Sequence, residues 1–155
     1  MRLLGLTALL VFALDQLSKW VVVHLLNLKV IGAIDVLPPL LNFRMGWNRG
    51  INFGLFGDSP DFARYLLIAL AVGVSLWLVW WARRSLSKPL TLIGAGAIIG
   101  GAIGNALDRV VYGAVADFLN MSCCGISNPY TFNIADIAIF AGAGLLIFID
   151  DHKTT

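Results

Sequence analysis

The sequence predicts an all-α polytopic membrane protein, with four transmembrane helices and a small extracytoplasmic β-sheet between helices one and two. Its 155 residues are 59% hydrophobic and only 13% charged, whereas soluble domains carry about a quarter charged residues. Four apolar stretches have close to the ~20 residues that cross the hydrocarbon core as a helix. Between the first two, apolar and polar residues alternate with the period of a half-buried strand. The net charge of +2 and the scattered basic residues do not indicate nucleic-acid binding.

The four apolar stretches are expected to cross the membrane within a single membrane domain that covers residues 1–155. They are residues 3–24, 61–82, 90–110 and 132–149. Arg2 precedes the first stretch, as in a signal peptide, but no small-residue cleavage site follows and the stretch continues through Asp15 and Lys19. We therefore expect the first stretch to be a retained helix.

The positions of lysine and arginine predict the orientation of these helices. The connection between helices two and three holds Arg83, Arg84 and Lys88 within six residues. Residues 111–131 contain no lysine or arginine, and residues 25–60 contain three. Because short cytoplasmic loops are enriched in these cations, both termini should be cytoplasmic and the two long connections should face outward.

The outer segment, residues 25–60, is predicted to contain the sheet. Leu41, Phe43 and Met45 alternate with two polar residues, which indicates a strand. Residues 48–50 follow as a turn, and residues 51–56 are predicted to form a second strand or a segment on the membrane surface. We expect this small sheet to lie above the bilayer.

Small residues predict close helix packing in the third helix. Gly96, Gly100 and Gly104 are spaced four residues apart, and Gly142 lies in the fourth helix. Small residues at this spacing allow two helices to approach closely in lipid. Packing of the third helix on the fourth would bring Asp117 close to Asp136.

Asp117 and Asp136 are the strongest candidates for chemistry. Carboxylates at membrane depth are costly and are therefore functional candidates. The predicted topology brings both to the outer boundary, because the third helix runs outward and the fourth runs inward. Two adjacent carboxylates do not both ionise easily, so they share a proton. Such a pair can activate water for attack on a peptide carbonyl and donate a proton to the leaving nitrogen.

Polar neighbours have predicted roles beside this pair. Asn133 shares a helical face with Asp136, and Asn105 shares one with Arg109. These side chains could hold substrate carbonyls or orient a carboxylate. Asp108 is expected to act as a cap or to pair at the surface with Arg109 or Arg44.

Five short motifs occur in order from the first helix to the fourth. They are Asp15-Gln16-Leu17-Ser18-Lys19, Asn48-Arg49-Gly50, Gly104-Asn105-Ala106-Leu107-Asp108-Arg109, Asp117-Phe118 and Phe132-Asn133-Ile134-Ala135-Asp136. Together they resemble lipoprotein signal peptidase, also called signal peptidase II. The family usually has small residues and a phenylalanine after its Asn-x-Gly, whereas Ile51 and Asn52 precede Phe53 here.

The resemblance implies an aspartic endopeptidase of the bacterial inner membrane. It would remove the signal peptide of a prolipoprotein just before a diacylglyceryl-modified cysteine. We expect no cofactor and no metal. The expected partners are this prolipoprotein and membrane lipid, not nucleic acid, and the protein is expected to be a monomer.

The resemblance also assigns roles to eight residues. Asp117 and Asp136 match the catalytic dyad. The residues expected to line the site are Asn48, Asn105, Arg109 and Asn133, and the expected supporting residues are Asp15 and Lys19. Asp15 and Lys19 are four residues apart, so their alternative role is simply to neutralise each other.

Other functions are weighed against this one. Cys123 and Cys124 are adjacent, which does not match the ligand spacing of a zinc site, and thiol catalysis would need a nearby histidine. A free or oxidised pair in an outer loop is favoured instead. A proton-coupled transporter would also need intramembrane carboxylates, but these lie at one face and no inverted repeat is present. A purely structural subunit would leave the polar cluster unexplained.

Overall fold

A computed structural model describes residues 1–50 and 60–149, which form five helices and a three-stranded sheet. Helix α1 continues without a break into a π-helical turn, Trp20–Leu25. The elements are α1 Arg2–Lys19, α2 Leu28–Ile31, β1 Ala33–Leu37, β2 Leu41–Asn48, α3 Pro60–Ser85, α4 Pro89–Tyr112, β3 Val115–Asn120 and α5 Ile134–Phe148.

Three helices in the described part of the chain are long and apolar enough to cross a membrane. They are α1 with its π-helical turn, α3 and α4. Helix α5 has 15 residues and begins later than the predicted residue 132. The later start arises because Phe132 forms a β-bridge with Leu119 and Asn133 caps the helix. Large apolar side chains such as Leu70 and Phe148 are exposed on the helices, as expected for surfaces that face lipid.

Helix α4 lies at the centre and packs against α1, α3 and α5. A Cβ added at Gly101 would lie 2.6 Å from the carbonyl oxygen of Ala135 in α5. A Cβ at Gly104 would lie 2.7 Å from Asp15 Oδ2 in α1. The predicted close packing is confirmed: the row Gly96, Gly100, Gly104 faces α1, and Gly101 faces α5.

The sheet is antiparallel with strand order β1-β2-β3. Strand β2 confirms the predicted strand, but β3 follows α4, so the sheet does not lie wholly between the first two spans. Asp117 therefore lies in a strand of this sheet. Its strand lacks a clear apolar–polar alternation because five of its six residues are buried. The predicted strand at 51–56 lies outside the described residues.

An apolar cluster fixes the sheet to the helices. Phe118 of β3 packs with Val22 and Leu28, and its ring meets that of Phe43 edge to face at 5.8 Å between centroids. Gly113 ends α4 in the left-handed region, at φ 76°, and donates its N–H to the carbonyl of Arg109 at 3.1 Å. This tight turn leads the chain directly into β3, because glycine adopts positive φ without steric penalty.

Candidate active site

Asp117 is held at the junction of the sheet and the helices. It lies on β3 opposite Gly46 of β2, and it is only 3% exposed. Its Oδ1 accepts a hydrogen bond from Asn133 Nδ2 at 2.6 Å, and its Oδ2 accepts one from Asn48 Nδ2 at 3.1 Å. Both carboxylate oxygens are therefore oriented by neutral amide donors.

Asp136 is held by the first turn of α5. Its backbone N–H donates to Asn133 Oδ1 at 2.9 Å, and its Oδ2 accepts from the Asn133 backbone N–H at 3.3 Å. This reciprocal pair is a capping box, which satisfies backbone donors that the helix leaves free. A negative charge in this turn also interacts favourably with the helix dipole.

Two asparagines connect the carboxylates. Asn133 Nδ2 donates to Asn105 Oδ1 at 3.1 Å, in addition to Asp117. Asn105 Nδ2 in turn donates to Asp136 Oδ1 at 2.9 Å. The two aspartates, nineteen residues apart in sequence, thus share one hydrogen-bonded network. Amide side chains can orient carboxylates without adding charge.

The electrostatic environment of Asp117 favours its protonated form. Burial, followed by the nearby negative charge of Asp136, raises the pKa of Asp117 to about 6. The hydrogen bonds from Asn48 and Asn133 act in the opposite direction, because they stabilise the charged form. Asp117 is therefore the member of the pair that binds a proton more readily than an ordinary aspartate.

A buried ion cluster lies next to this network. Lys19 Nζ contacts Asp15 Oδ2 and Asp108 Oδ2, each at 2.7 Å, and all three side chains are buried. Asp15 and Lys19 form an ion pair, and Lys19 pairs with Asp108 as well. The prediction that Asp108 pairs at the surface with Arg109 or Arg44 is wrong, because Asp108 is buried against Lys19.

The cluster also binds the backbone beside each candidate catalytic residue. The N–H of Ala135, just before Asp136, donates to Asp15 Oδ1 at 3.0 Å. The N–H of Ala116, just before Asp117, donates to Asp108 Oδ2 at 3.1 Å. The cluster therefore holds the start of α5 and strand β3 at fixed positions relative to α1.

Sequence reasoning overlooked Gln16 as part of this cluster. Its Nε2 donates to Asp15 Oδ2 at 3.1 Å and to Asp108 Oδ1 at 3.0 Å. Its place in the motif with Asp15 and Lys19 was the only signal in the sequence. Glutamine at this position adds donors to two carboxylates that share a single lysine.

Arg109 lies at the edge of the network. Its Nη1 donates to the carbonyl of Asn105 at 3.2 Å, one turn earlier in α4. Its Nε is buried and has no hydrogen-bond partner among the described residues. The guanidinium is within electrostatic reach of both Asp117 and Asp136. Arg109 therefore offers a positive charge and a free donor beside the two carboxylates.

An apolar groove opens beside Asp136. Its volume is about 550 Å³, and among the described residues Asp136 is the one ionisable residue that lines it. The other lining residues are Phe132, Ile137, Phe140 and Ala141. An apolar ligand in this groove would lie directly against a carboxylate.

Residues 7–150 match the sequence profile of the family described as Signal peptidase (SPase) II. This chain belongs to the signal peptidase II family. Lipoprotein signal peptidase of Methylobacterium sp. (strain 4-46) is 42% identical over 147 residues, which cover 94% of this chain and 87% of that protein. Lipoprotein signal peptidase of Rhodopseudomonas palustris (strain ATCC BAA-98 / CGA009) is 40% identical over 150 residues, which cover 95% and 90%.

The fold of this chain is also similar to that of a solved structure. It is a bacterial membrane enzyme determined by the in meso method at 1.9 Å resolution, with a TM-score of 0.79 and 25% identity. The match covers 92% of this chain and 88% of that chain. Together with the apolar helices, membership in the signal peptidase II family identifies a bacterial multi-pass membrane peptidase.

In this signal peptidase II, the eight predicted site residues form two adjoining groups. Those in direct contact with a dyad carboxylate are Asn48, Asn105 and Asn133. Asp15 and Lys19 lie in the ion cluster, and Arg109 is bonded to the backbone of Asn105. The catalytic and binding roles of these residues remain predictions.

The two cysteines lie outside these groups. Cys123 and Cys124 are free and exposed in the segment that follows β3. His24, the histidine within the described residues, bonds to Tyr112 at 3.0 Å and to Lys29 at 3.2 Å and does not contact either sulfur. The described structure therefore provides no cysteine–histidine pair of the kind that thiol catalysis requires.

Proposed function

We propose that this chain is an aspartic endopeptidase that removes the signal peptide from diacylglyceryl-modified prolipoproteins, cutting just before the lipidated cysteine. Relatives that are 42% and 40% identical to this chain carry the name lipoprotein signal peptidase. The observation that carries the proposal is the hydrogen-bonded network through Asn105 and Asn133 that joins Asp117 to Asp136. It joins the two carboxylates where strand β3 meets the first turn of α5.

The proposed reaction divides acid and base roles between the two aspartates. Asp117, with a pKa of about 6, is protonated in about one molecule in ten at pH 7, against about one in a thousand for an ordinary aspartate. Asp136, at the helix N-terminus, is the base. It takes a proton from water as the water oxygen attacks the scissile carbonyl carbon. Asp117 then gives its proton to the leaving nitrogen, and the pair exchanges protons to reset.

Arg109, Asn105 and Asn133 are proposed to bind the substrate's carbonyl groups. Arg109 has a free Nε donor, which a substrate carbonyl oxygen could accept. Negative charge that develops on the scissile carbonyl would be stabilised by this guanidinium, because preorganised donors strengthen as charge develops. Asn48 holds Asp117 from the side opposite Asn133, and Asp15 and Lys19 are proposed to support the pair through the backbone.

The apolar groove beside Asp136 is proposed to hold a hydrophobic part of the substrate or its lipid.

The proposed topology is a single inner-membrane domain, acting as a monomer, with four spans and both termini cytoplasmic. Arg83 and Arg84 end α3, and α4 runs from that end to the sheet. A cytoplasmic location of these cations would orient the aspartates to the outer face, where water is available.

The test is cleavage of a lipidated prolipoprotein peptide by purified Asp117→Asn and Asp136→Asn variants. Each should lose activity by several orders of magnitude, because neither acid nor base function can then be completed. Asp61→Asn is the matched control, since Asp61 is exposed in the first turn of α3. Native cleavage rates in either dyad variant would refute the mechanism. Proton flux into liposomes that depends on both aspartates, without cleavage, would favour a transporter instead.

A further inference from the structure

A second cavity lies on the sheet, away from the dyad. Its volume is about 380 Å³, and neither dyad residue lines it. Asp35, Asn42 and Asn120 form a row across the three strands, because Asn42 pairs with Asp35 on one side and with Asn120 on the other. The segment after β3 contributes Ser122, Cys123 and Gly125–Ser127 to the opposite side of the cavity.

The walls of this cavity are held by hydrogen bonds. Asn120 Nδ2 donates to the carbonyl oxygens of Asn128 and Tyr130, each at 2.8 Å. The N–H of Ser122 donates to the carbonyl of Pro39 at 3.3 Å, which ties the segment to the β1–β2 turn. Asn42, by contrast, is only 6% exposed, and its Oδ1 has no donor among the described residues. Buried acceptors are almost always satisfied, so this oxygen is available to a donor on a bound molecule or to a water.

Two opposite charges line the same cavity. Asp35 of β1 and Arg44 of β2 are both exposed, and neither forms an ion pair within the described residues. A carboxylate would be bound by the planar guanidinium of Arg44. An ammonium group would be bound by Asp35 and by the free oxygen of Asn42. Together these groups match the two charged ends of an amino acid.

The third feature of this cavity is a pair of sulfurs. Cys123 lines it, and its Sγ lies 2.7 Å from that of Cys124. A tight turn holds them together: the N–H of Ile126 donates to the carbonyl of Cys123 at 2.9 Å, and Cys124 and Gly125 have φ of 60° and 80°. Two positive φ values at the centre identify a type I′ turn. A non-glycine residue in this conformation is uncommon and calls for a reason.

We propose that Cys123 and Cys124 form a thiol–disulfide exchange site for small disulfides with amino-acid end groups, bound by Asp35, Asn42 and Arg44. The Cys123 thiolate attacks one sulfur of the disulfide, which breaks the S–S bond, forms a mixed disulfide and releases one thiolate. The Cys124 thiolate then attacks Cys123 Sγ, closing the vicinal disulfide and releasing the second thiolate. The protein dithiol loses two electrons and two protons, and the small disulfide becomes two thiols.

This activity is independent of the proposed peptidase reaction. Neither Asp117 nor Asp136 lines its cavity, and within the described residues neither forms a hydrogen bond or ion pair with Asp35, Asn42, Arg44 or Cys123. A disulfide between adjacent residues is strained, and strained, exposed disulfides have more oxidising potentials and are readily reduced again. The site would therefore cycle between dithiol and disulfide and would not serve as a permanent cross-link.

The test treats the full-length protein in detergent with glutathione disulfide and then counts free thiols by alkylation and mass spectrometry. These are the chain's two cysteines, so every thiol lost belongs to the site. The wild-type protein should lose both thiols and retain no adduct. Cys124→Ser should instead accumulate a glutathione adduct on Cys123, because the resolving thiolate is absent. Retention of two free thiols in the wild-type protein would overturn the proposal.

A second comparison tests the ligand class. Arg44→Gln should slow exchange with glutathione disulfide about three- to fivefold, the scale of an exposed ion pair, but should not slow exchange with uncharged 2-hydroxyethyl disulfide. Arg84→Gln is the matched control, since Arg84 lies in the last turn of α3 and stacks on Trp80. Equal rates for Arg44→Gln and the wild type with glutathione disulfide would overturn the amino-acid assignment, as would equal slowing with both disulfides.

Discussion

Asn48 lowers the pKa of Asp117, and removing the Asn48 side chain should raise it. Asn48 Nδ2 donates to Asp117 Oδ2 at 3.1 Å. The bond stabilises the ionised carboxylate, so it lowers the pKa of Asp117 against the larger, opposite effect of burial. Asn48→Ala removes the donor, and the pKa of Asp117 should therefore rise above about 6.

The magnitude follows from the strength of the bond. Hydrogen bonds to charged groups contribute about 1.5–3 kcal/mol. Asn48 is exposed, so the lower end of that range applies, and one pKa unit corresponds to about 1.4 kcal/mol. The expected rise is thus about one unit, which would bring the pKa of Asp117 close to 7.

Two measurements check this shift. Carbon-13 NMR of labelled aspartate carboxyl groups in detergent gives the titration of the free enzyme without substrate effects. The pH dependence of kcat/KM on a lipidated peptide should show its alkaline limb moved upward by about one unit, because a protonated Asp117 is the proposed acid. Asn128→Ala is the control, since Asn128 bonds to Tyr130 and not to the dyad. An unchanged or lower pKa in a folded Asn48→Ala protein would refute this account of the site.

Three further predictions concern stability and packing. Because the folded-state pKa of Asp117 is raised, the stability that Asp117 contributes is fully present below pH ~4 and is lost as pH rises through about 6. In thermal unfolding, Asp117→Asn should therefore gain up to about 3 kcal/mol relative to the wild type between pH 4 and 8. A stability difference between the two proteins that does not change with pH would contradict this. Lys19→Met should lower stability by about 3–5 kcal/mol in denaturant titrations, because two buried carboxylates lose their shared counter-ion; a loss below 1 kcal/mol would argue against a buried cluster. Gly101→Ala should lower both stability, by about 1–3 kcal/mol, and the rate of cleavage, because the new Cβ meets the backbone of Ala135 beside the dyad. Gly73→Ala has open space within 4 Å and should leave cleavage unchanged while gaining up to about 1 kcal/mol in the same assay.

Local signals account for the parts of the fold that were predicted well. The third predicted helix, 90–110, corresponds to Pro89–Tyr112. Proline favours the first helical position and glycine the position after the last, so Pro89 and Gly113 mark both ends within the sequence itself. Strand β2 was predictable because Leu41, Phe43 and Met45 alternate with polar residues in the sequence, and Phe43 and Met45 pack against the apolar cluster around Phe118.

Features that depend on distant residues were predicted less well. Strand β3 is buried on both faces, so no alternation marks Asp117 as a strand residue. The row of glycines in α4 indicated close packing but not its partner, because a small residue accepts any helix that fits. Asp108 was assigned to the surface because its charge alone favours water, whereas Lys19 and Gln16 stabilise it inside the protein.

The amino-acid sequence by itself determined the membrane character, the positions of the helices, and the family to which the chain belongs. It also indicated Asp117 and Asp136, since carboxylates in so apolar a chain are costly and few. The tertiary structure decided which donors meet those carboxylates and which residues hold them. Asn48 reaches Asp117 across 69 residues, and Asp15 binds the backbone of Ala135 across 120 residues. Such contacts depend on how helices and strands pack, which local preference along the chain does not specify.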